Sequence, residues 1–390
     1  MLSDIESLRR TEFPWTLAGD SIYLNNASTG PLPARTVAVL DEWSRLRSNP
    51  AQITQERQFG ALARGRELLA RLIGCDAGEI ALATNTSYGI NLAAWSLPLE
   101  AGDVVLAPDG EFPANVYPWM QAAAVIGVEY RRLPLEGRPL DVERLRAELD
   151  ADPRIRVVAL SWVGFATGTR VDLAAIGSLC RERKVFFVVD AIQGLGPLTL
   201  DVRACGADIL ACGCQKWLLS PWGAGFVYVR RELIDELAPA DVSWMGVKGS
   251  DDFSRLLDYD LTWRDDARRF EFVTLPFQDM AAMNASLELV LECGARAVAE
   301  RATALAERIV SWAADRDDVC MVSPPRREQR AAIISLRPLR EAPERVSERL
   351  RATGVSHSLR EGAIRLSPHF YNTEQEIDHA MATLGELVNG

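Results

Sequence analysis

Short apolar runs that alternate with helical patterns are the feature of this 390-residue sequence that most constrains its fold. Most runs are rich in β-branched residues and lack apolar–polar alternation, so we expect strands that are covered on both faces. Helical patterns lie between them, for example over Ile90–Leu99 and Leu173–Lys184. The predicted strands are Glu79–Ala83, Asp103–Ala107, Arg156–Ser161, Val185–Asp190, Asp208–Cys212 and Gly225–Val229.

These runs predict an α/β fold in which a mostly parallel central sheet carries helices on both faces. The pattern extends over residues 20–260, which we interpret as one large domain. In open sheets of this kind, ligands bind beyond the carboxyl ends of the strands. The residues that come directly after each run are therefore the first candidates for chemistry.

The pattern of predicted helices and strands changes near residue 280. A long helical stretch, Asp279–Arg316, is rich in Ala, Leu and Glu, and two short strand-like runs come after it at residues 331–336 and 363–367. A last helix begins at Thr373, where Thr373 and Glu376 have the spacing of a capping box. We predict a smaller C-terminal α+β domain over residues 280–390 and an N-terminal arm over residues 1–19.

Charge and cysteine usage argue against several classes of protein. A net charge of -11 does not attract a phosphate backbone, so we expect no nucleic-acid partner. No apolar run approaches a membrane span and the first residues have no signal core, so we expect no membrane contact and a cytoplasmic location. The seven cysteines are scattered and the three histidines all lie beyond residue 356, which predicts reduced thiols and no metal site.

The stretch CGCQKW at residues 212–217 permits two interpretations. One is a metal or redox site built on its two cysteines, and the other is a lysine site at the end of a buried strand. A lysine in such a crevice loses charge by desolvation, and a neutral amine is the nucleophile that forms Schiff bases. The ordinary alternative is a lysine that reaches from a loop into water.

Two other strand ends carry residues that suit a charged ligand. Thr84–Ser87 come after the first predicted strand and open a helix, where backbone N–H groups and the helix dipole suit a phosphate. Simple helix capping is the plainer interpretation of that stretch. Asp190 ends a wholly apolar run, where a carboxylate is costly unless a cation or a protonated ring nitrogen compensates it. An aspartate that caps the next segment is the alternative there.

The combination is more informative than any single element. We expect three features at one edge of the sheet: a phosphate-binding site, an acid at a strand end, and a lysine 26 positions after that acid. Pyridoxal 5'-phosphate needs these three groups, to anchor its phosphate, to keep its pyridine nitrogen protonated and to carry its aldehyde.

On these residues the sequence resembles the class V aminotransferase family of fold-type I pyridoxal phosphate enzymes. The resemblance covers nearly the whole chain and implies that fold. It is carried, in family order, by YLNNAS (23–28), ATNTSYGIN (83–91), EFPANVYPW (111–119), VVDAIQGLG (188–196), CQKWLLSPWGAG (214–225), RRFEFVT (268–274) and IRLSPHFYNT (364–373).

The resemblance implies a role for each residue of the motifs that touch the cofactor. Lys216 is implied as the Schiff-base lysine, and Asp190 as the partner of the pyridine nitrogen. Phe112 stands where the family places an aromatic ring over the cofactor. The other implied contacts are Thr86 and Ser87 at the phosphate, Gln193 at the ring hydroxyl, Gln215 as a hydrogen-bond donor near the phosphate, and Thr274 at the phosphate of the neighbouring subunit.

The same resemblance implies a substrate and a partner. Asn26 and Arg365 match the positions that bind the substrate carboxylate, and bidentate pairing is the physical reason for an arginine there. The expected substrate is an α-amino acid. The role implied for Thr274 makes the protein a homodimer with active sites at the subunit interface.

Three departures distinguish the sequence from the cysteine desulfurases of the family. Residues 354–365 contain no cysteine where desulfurases carry a nucleophilic one, so persulfide transfer is not expected. Gly164 and Phe165 stand where many desulfurases place an asparagine near the cofactor. Gly213 replaces a serine that helps to bind phosphate.

The residues therefore predict loss of the Cα proton to Lys216 without selecting the fate of the resulting carbanion. Transamination, epimerisation and β-elimination all begin with that step, and a kynureninase-like C–S or C–C lyase is a further alternative. Two other classes of protein remain possible. One is a sensor that binds the cofactor without turnover, and the other is a metal or redox protein that uses its cysteines. In the favoured interpretation, Cys212 and Cys214 are apolar filling at a strand end, and whether Cys214 faces the cofactor is undecided.

Overall fold

The computed structural model describes residues 4–135 and 139–389. The strands are Ile22–Tyr23 (β1), Ile80–Ala83 (β2), Val104–Pro108 (β3), Glu129–Leu133 (β4), Ile155–Ser161 (β5), Phe186–Asp190 (β6), Ile209–Gly213 (β7), Gly225–Val229 (β8), Val319–Met321 (β9), Ile334–Pro338 (β10), Val355–Ser356 (β11), Ser358–Arg360 (β12) and Ala363–Leu366 (β13). The helices are Ile5–Glu12 (α1), Ala34–Ser48 (α2), Gln55–Ile73 (α3), Thr86–Ser96 (α4), Tyr117–Ile126 (α5), Val142–Ala151 (α6), Leu173–Arg183 (α7), Val202–Cys205 (α8), Arg231–Glu236 (α9), Phe277–Cys293 (α10), Ala295–Ala314 (α11), Pro343–Ala352 (α12) and Glu374–Asn389 (α13).

The central sheet has seven strands in the order β2-β8-β7-β6-β5-β3-β4. All its neighbours pair in parallel except β8, which is antiparallel to both β2 and β7. No helix separates β7 from β8, and a chain without such a crossover returns antiparallel. The predicted mostly parallel sheet is confirmed, with each predicted strand within about one residue of its observed position.

Alternate residues of the central strands enter two separate hydrophobic clusters. Leu82, Leu106 and Leu210 belong to one cluster, whereas their neighbours Val105 and Ile209 belong to the other. Helices α3, α7 and α10 contribute to the first cluster, and α4 and α5 contribute to the second. Both faces of the sheet are therefore covered, as the unbroken apolar runs predicted.

Strand β4 lies at the edge of the sheet and was not predicted. Its sequence, EYRRL, is mostly charged and only Leu133 is buried, and Arg131 pairs with Glu129 and Asp152. Charged side chains are a common way to keep a sheet edge from pairing with another chain. They also remove the apolar pattern by which a strand is recognised in sequence.

The C-terminal part has its own antiparallel sheet, in the order β12-β13-β10-β9. The predicted helical stretch 279–316 is two helices, α10 and α11, which are separated at Gly294 where φ is 85°. The capping box at α13 is present in both directions: the Thr373 N–H donates to Glu376 at 3.0 Å, and the Glu376 N–H donates to the Thr373 hydroxyl at 3.2 Å.

Residues 22–28 connect the N-terminal region to the C-terminal sheet region. Strand β1 pairs in parallel with β11, and Asn25 forms a bridge to Ser367 just beyond β13. This pairing brings the YLNNAS segment next to the strand that carries Arg365. The boundaries 20–260 and 280–390 remain sequence-based predictions.

Within residues 4–135 and 139–389, no helix is both long enough and apolar enough to span a bilayer.

Candidate active site

Lys216 lies in the loop after β7, at the carboxyl edge of the central sheet. The loop is held against the N-terminal region, because the Gly30 N–H donates to the Gln215 carbonyl at 2.9 Å. A side chain at Gly30 would place its Cβ 2.0 Å from the Lys216 carbonyl oxygen, so only glycine permits this approach. The Lys216 Nζ lies 5.7 Å from the centre of the Phe112 ring.

Burial makes Lys216 a weak base. Desolvation lowers the pKa of its amine to about 8, although the nearby carboxylate of Asp190 opposes the shift. Arg365 and Arg360 lower the pKa further through their positive charges. The amine is therefore available in its neutral, nucleophilic form near neutral pH.

Asp190 ends β6, the strand next to β7, and is buried. Its Oδ1 accepts a hydrogen bond from the Ile192 N–H at 2.9 Å. Burial raises the pKa of Asp190 to about 6, while that hydrogen bond and the charge of Lys216 act in the opposite direction. In the described part of the chain no arginine, lysine or histidine pairs with Asp190 within 4.0 Å. A cationic ring nitrogen would stabilise such a carboxylate.

Helix α4 begins at Thr86, at the same edge of the sheet. The Asn85 side chain caps the helix by accepting from the Tyr88 N–H at 2.9 Å. The N–H groups of Thr86 and Ser87, which have no intrahelical acceptor, are left at the helix N-terminus. The Thr86 hydroxyl accepts from the Gly213 N–H at 2.9 Å and so joins α4 to the end of β7. This geometry suits a phosphate, with the exposed Ser87 hydroxyl beside it.

Gln215 and Gly213 occupy one small space. A Cβ at Gly213 would lie 2.4 Å from the Gln215 Oε1 and 3.2 Å from the Ile192 side chain. The serine that desulfurases have at this position would displace the Gln215 side chain. The departures at these two positions are therefore physically coupled.

Arg365 lies on β13 and is buried, and it reaches residues from two distant segments. Its guanidinium donates to the Phe165 carbonyl oxygen and to the Ser28 hydroxyl, both at 2.7 Å. Its Nε has no hydrogen-bond partner among the described residues, and none of their carboxylates pairs with it within 4.0 Å. Burial lowers the pKa of Arg365 to about 10, so the group stays cationic at neutral pH.

Two predicted binding residues are already engaged within the chain. The Gln193 Oε1 accepts from the Trp217 indole N–H, and its Nε2 donates to the Ala27 carbonyl, both at 2.9 Å. The Asn26 Nδ2 donates to the Ser367 carbonyl at 2.8 Å, while its Oδ1 accepts from the Tyr371 hydroxyl at 2.9 Å. Each amide keeps one N–H hydrogen that could reach a ligand.

Thr274 lies apart from the residues around Lys216. It is exposed in the loop before α10, two positions after Phe272, whose side chain is also exposed. Phe112, by contrast, packs edge-on against Phe165 with ring centres 5.2 Å apart; its ring lies near the Lys216 amine, and the Phe165 backbone carbonyl accepts from Arg365. The structure thus brings the other predicted residues to one region and leaves Thr274 on the surface.

Glu111 is a site residue that the sequence reasoning did not identify. It accepts hydrogen bonds from the Ser161 N–H at 2.8 Å, from the Ser161 hydroxyl and from the Asn115 amide at 2.9 Å. Burial raises the pKa of Glu111 to about 7, and the charge of Asp190 adds to the shift. Glu111 directly precedes Phe112 in the EFPANVYPW motif, but nothing in the motif shows that this glutamate is hydrogen-bonded to Ser161 and Asn115.

His369, in the last of the family motifs, was also missed. Its Nδ1 accepts from the Phe370 N–H at 2.8 Å, so its Nε2 carries the proton and donates to the Trp217 carbonyl at 2.9 Å. Burial lowers the pKa of His369 to about 4, which keeps the ring neutral. His369 therefore supports the loop that carries Lys216.

Cys212 and Cys214 are both buried in the hydrophobic core. Burial raises the pKa of both thiols well above the ordinary value, which leaves them protonated and poor metal ligands. The charges of Asp190 and Lys216 also act on the pKa of Cys212, whereas burial is the cause that raises the pKa of Cys214. In the described ranges no group of three or more Cys, His, Asp and Glu side chains could hold a metal ion.

The fold and this edge of the sheet define a pyridoxal phosphate enzyme of the class V type. The family model "Aminotransferase class-V" matches residues 22–379, and the chain belongs to that family. The lysine of lowered pKa, the unpaired buried aspartate and the helix N-terminus fit the cofactor that the family uses.

The similar proteins include enzymes that carry out different reactions. Isopenicillin N epimerase from Streptomyces clavuligerus is 31% identical over 378 residues, with 94% of each chain covered. A probable cysteine desulfurase from Methanothermobacter thermautotrophicus is 28% identical, with 95% of this chain and 96% of the relative covered. A solved structure of a C-DES variant with glycine covalently linked to its pyridoxal phosphate cofactor has a TM-score of 0.88 at 23% identity, covering 97% and 99% of the two chains. That last likeness concerns the fold.

Proposed function

We propose that this protein acts on an α-amino acid whose carboxylate is bound by Arg365. The observation that carries the proposal is the buried guanidinium of Arg365, with a free Nε and no acidic partner in the described residues. An uncompensated buried charge is costly, and a substrate carboxylate would compensate it through a charge-assisted pair. Asn26 is the second proposed carboxylate ligand, through its remaining N–H.

The cofactor, when bound, supplies an aldehyde that captures the substrate amine and a ring that withdraws electrons from Cα. We assign Lys216 to hold the cofactor and then to move the Cα proton, because burial lowers the pKa of its amine to about 8, close to neutral pH. Asp190 keeps the ring nitrogen protonated and Phe112 covers the ring. The proposed phosphate contacts are Thr86, Ser87, Gln215 and, from the neighbouring subunit, Thr274, while Gln193 contacts the ring hydroxyl.

Persulfide transfer is not part of this proposal. Residues 358–366 form a tight hairpin that contains no cysteine, and its turn consists only of Glu361 and Gly362. Cys320 is exposed on β9, at the far edge of the C-terminal sheet from β12. Neither feature supports a mobile cysteine loop of the desulfurase kind.

Transamination, epimerisation and β-elimination share the first proton transfer to Lys216. We place epimerisation first, because the epimerase from Streptomyces clavuligerus matches 94% of this chain at 31% identity. A lyase of the kynureninase kind, which breaks a C–S or C–C bond, is the alternative that also uses these residues.

We also propose a homodimer with active sites at the subunit interface. Leu257 is 78% exposed and Tyr259 is 88% exposed, and the side chains of Trp244, Leu261 and Phe272 are also exposed, with Trp244, Tyr259 and Leu261 around one open cavity. An apolar area of this kind in contact with water is typical of a surface that another molecule covers. The exposed Thr274 lies two residues after Phe272, where a second copy of the chain could bring it to the phosphate.

The visible spectrum of the purified protein tests the cofactor assignment. We expect a yellow band that borohydride removes and that Lys216→Ala lacks. Lys184→Asn is the matched control, because Lys184 is an exposed lysine with a φ of 55°, which asparagine tolerates. A control that also loses the band, or a wild-type protein that never gains it with added cofactor, would contradict the assignment.

Incubation with a panel of amino acids in deuterated water tests the reaction. Deuterium at Cα with inversion indicates epimerisation, and turnover that requires a keto acid indicates transamination. A keto acid formed without an acceptor indicates elimination. A spectral response without any product would favour the sensor alternative and overturn the proposed catalysis.

A further inference from the structure

The hairpin of β12 and β13 presents a second arginine on the same face as Arg365. Ser358 pairs with Arg365, and Arg360 pairs with Ala363. Paired residues of antiparallel strands share a face, and so do residues two apart on one strand. Ser358, Arg360 and Arg365 therefore lie on one face, which Arg365 shows to be the face toward Ser28 and Phe165.

This face of the hairpin has more hydrogen-bond donors than acceptors. The Ser358 Oγ and the Arg365 Nε are buried and have no hydrogen-bond partner among the described residues. The Arg360 guanidinium donates to the carbonyl of its neighbour Leu359 at 2.8 Å, and no carboxylate in the described ranges lies within 4.0 Å of it. Hydrogen-bond donors without acceptors on a positively charged face suit an anion.

Arg360 is electrostatically coupled to the catalytic region. Its charge lowers the pKa of the Lys216 amine and is, after burial, the main cause that lowers the pKa of Arg365. Arg360 is exposed whereas Arg365 is buried, and an anion that contacts both guanidinium groups would offset the repulsion that acts on Arg365.

The hairpin is supported at its turn and reaches an open cavity. Arg337 donates to the carbonyl oxygens of Glu361 and Gly362 and so supports the turn. Glu361 lines a cavity of about 590 Å³ that Phe165 and Glu111 also line. The diagonal relation of Arg360 and Arg365 across the two strands separates their backbones by roughly 7–8 Å. A substrate side chain of that length can therefore extend along this face of the hairpin from Arg365 to Arg360.

We propose that Arg360 is a specificity-determining residue that binds a carboxylate at the end of the substrate side chain. Arg365 then binds the α-carboxylate, and the substrate is an amino acid with an acidic side chain. This inference rests on the proposed function, and it adds the substrate class to it.

The test compares glutamate with glutamine, which differ in charge but hardly in shape. We expect the wild-type enzyme to favour glutamate in affinity or in kcat/KM by roughly ten- to hundredfold, the range of a charged hydrogen bond. Arg360→Gln should remove that preference, so that the glutamate and glutamine values of the variant agree within about twofold. Arg360→Lys should retain part of the preference, and Arg360→Glu should shift it toward lysine as the substrate. Arg296→Gln, an exposed arginine on α11, is the control and should retain the wild-type ratio.

A binding measurement without turnover separates this inference from the proposed function. Glutarate should raise the melting temperature more than butyrate does in the wild-type and Arg296→Gln proteins, and not in Arg360→Gln. An unchanged glutamate preference in Arg360→Gln, or a wild-type enzyme that favours glutamine, would overturn the role of Arg360. If no amino acid reacts, the proposed function fails, and the glutarate comparison alone then decides whether Arg360 binds an anion.

Discussion

Lys216 and Asp190 each lie in surroundings that oppose their own charge. Burial lowers the pKa of the lysine to about 8 and raises that of the aspartate to about 6, and each charge partly offsets the other shift. The two residues therefore suit a ligand that has an electrophile for the amine of Lys216 and a cationic ring nitrogen for the carboxylate of Asp190.

The first prediction concerns the capture of pyridoxal phosphate by cofactor-free protein. Only the neutral amine reacts, so the capture rate should rise with pH through a midpoint near 8, as measured by the growth of visible absorbance after mixing. Asp190→Asn removes a charge that raises the pKa of Lys216, so its midpoint should lie lower. A midpoint near the ordinary lysine value of 10.5 would show that Lys216 is not desolvated.

Glu111 gives a second prediction, on stability. Burial raises its pKa from 4.5 to about 7, so the folded protein holds this proton more tightly than the unfolded chain does. The resulting stabilisation is complete below pH 4.5 and is lost as the pH rises to 7, and its size is on the order of 2 kcal/mol. Glu111→Gln cannot lose the proton. Its free energy of unfolding relative to wild type should therefore increase by that order between pH 5 and pH 8 in urea titrations, and parallel stability curves would contradict this.

At the scale of elements, the turn of the β12–β13 hairpin sets the position of Arg365. Both turn residues have positive φ, 48° at Glu361 and 71° at Gly362. This is the pair of left-handed residues that a two-residue hairpin requires. The strands on either side keep Arg365 opposite Ser358.

Gly362→Ala tests the coupling between this turn and substrate binding. A Cβ there meets no atom within 4 Å, so its cost is conformational, about 1 kcal/mol. Gly102→Ala is the matched control, since Gly102 has a φ of 94° and equally free space in a turn before β3. We expect both variants to lose a similar stability in urea titrations, and only Gly362→Ala to weaken amino acid binding, by up to about fivefold. Equal binding by both would mean that the hairpin does not position Arg365.

At the scale of the whole molecule, one subunit is proposed to complete the site of another. Mixing two inactive variants, so that hybrid dimers form, tests this directly. Lys216→Ala and Thr274→Glu should each be inactive, the second because its carboxylate repels the cofactor phosphate. In a hybrid dimer, the site that holds Lys216 receives the intact Thr274 from its partner. Equal mixtures after subunit exchange should therefore recover about a quarter of wild-type activity. A mixture that stays inactive while hybrids form would place Thr274 outside the partner's site.

The apolar runs show which elements of the fold could be predicted from the sequence. Burial on both faces leaves an unbroken apolar run, which is why β5, β6 and β7 were predicted closely. Strand β4 was missed because an exposed edge needs charge and lacks that run. The break at Gly294 inside a predicted long helix was missed because the helical pattern continues on both sides of it.

The sequence by itself determined the α/β class, the family and the edge of the sheet where the candidate site lies, because these depend on local patterns and on short motifs in a fixed order. Only the tertiary structure decided which side chains have hydrogen-bond or ion-pair partners within the chain and which do not. It showed that Gln193 and Asn26 are largely engaged within the chain, and that Glu111 is a hydrogen-bonded acid whose pKa is raised. It also showed that Arg360 shares a face with Arg365. Hydrogen-bond satisfaction and desolvation depend on atoms that are distant in sequence, so no local pattern contains them.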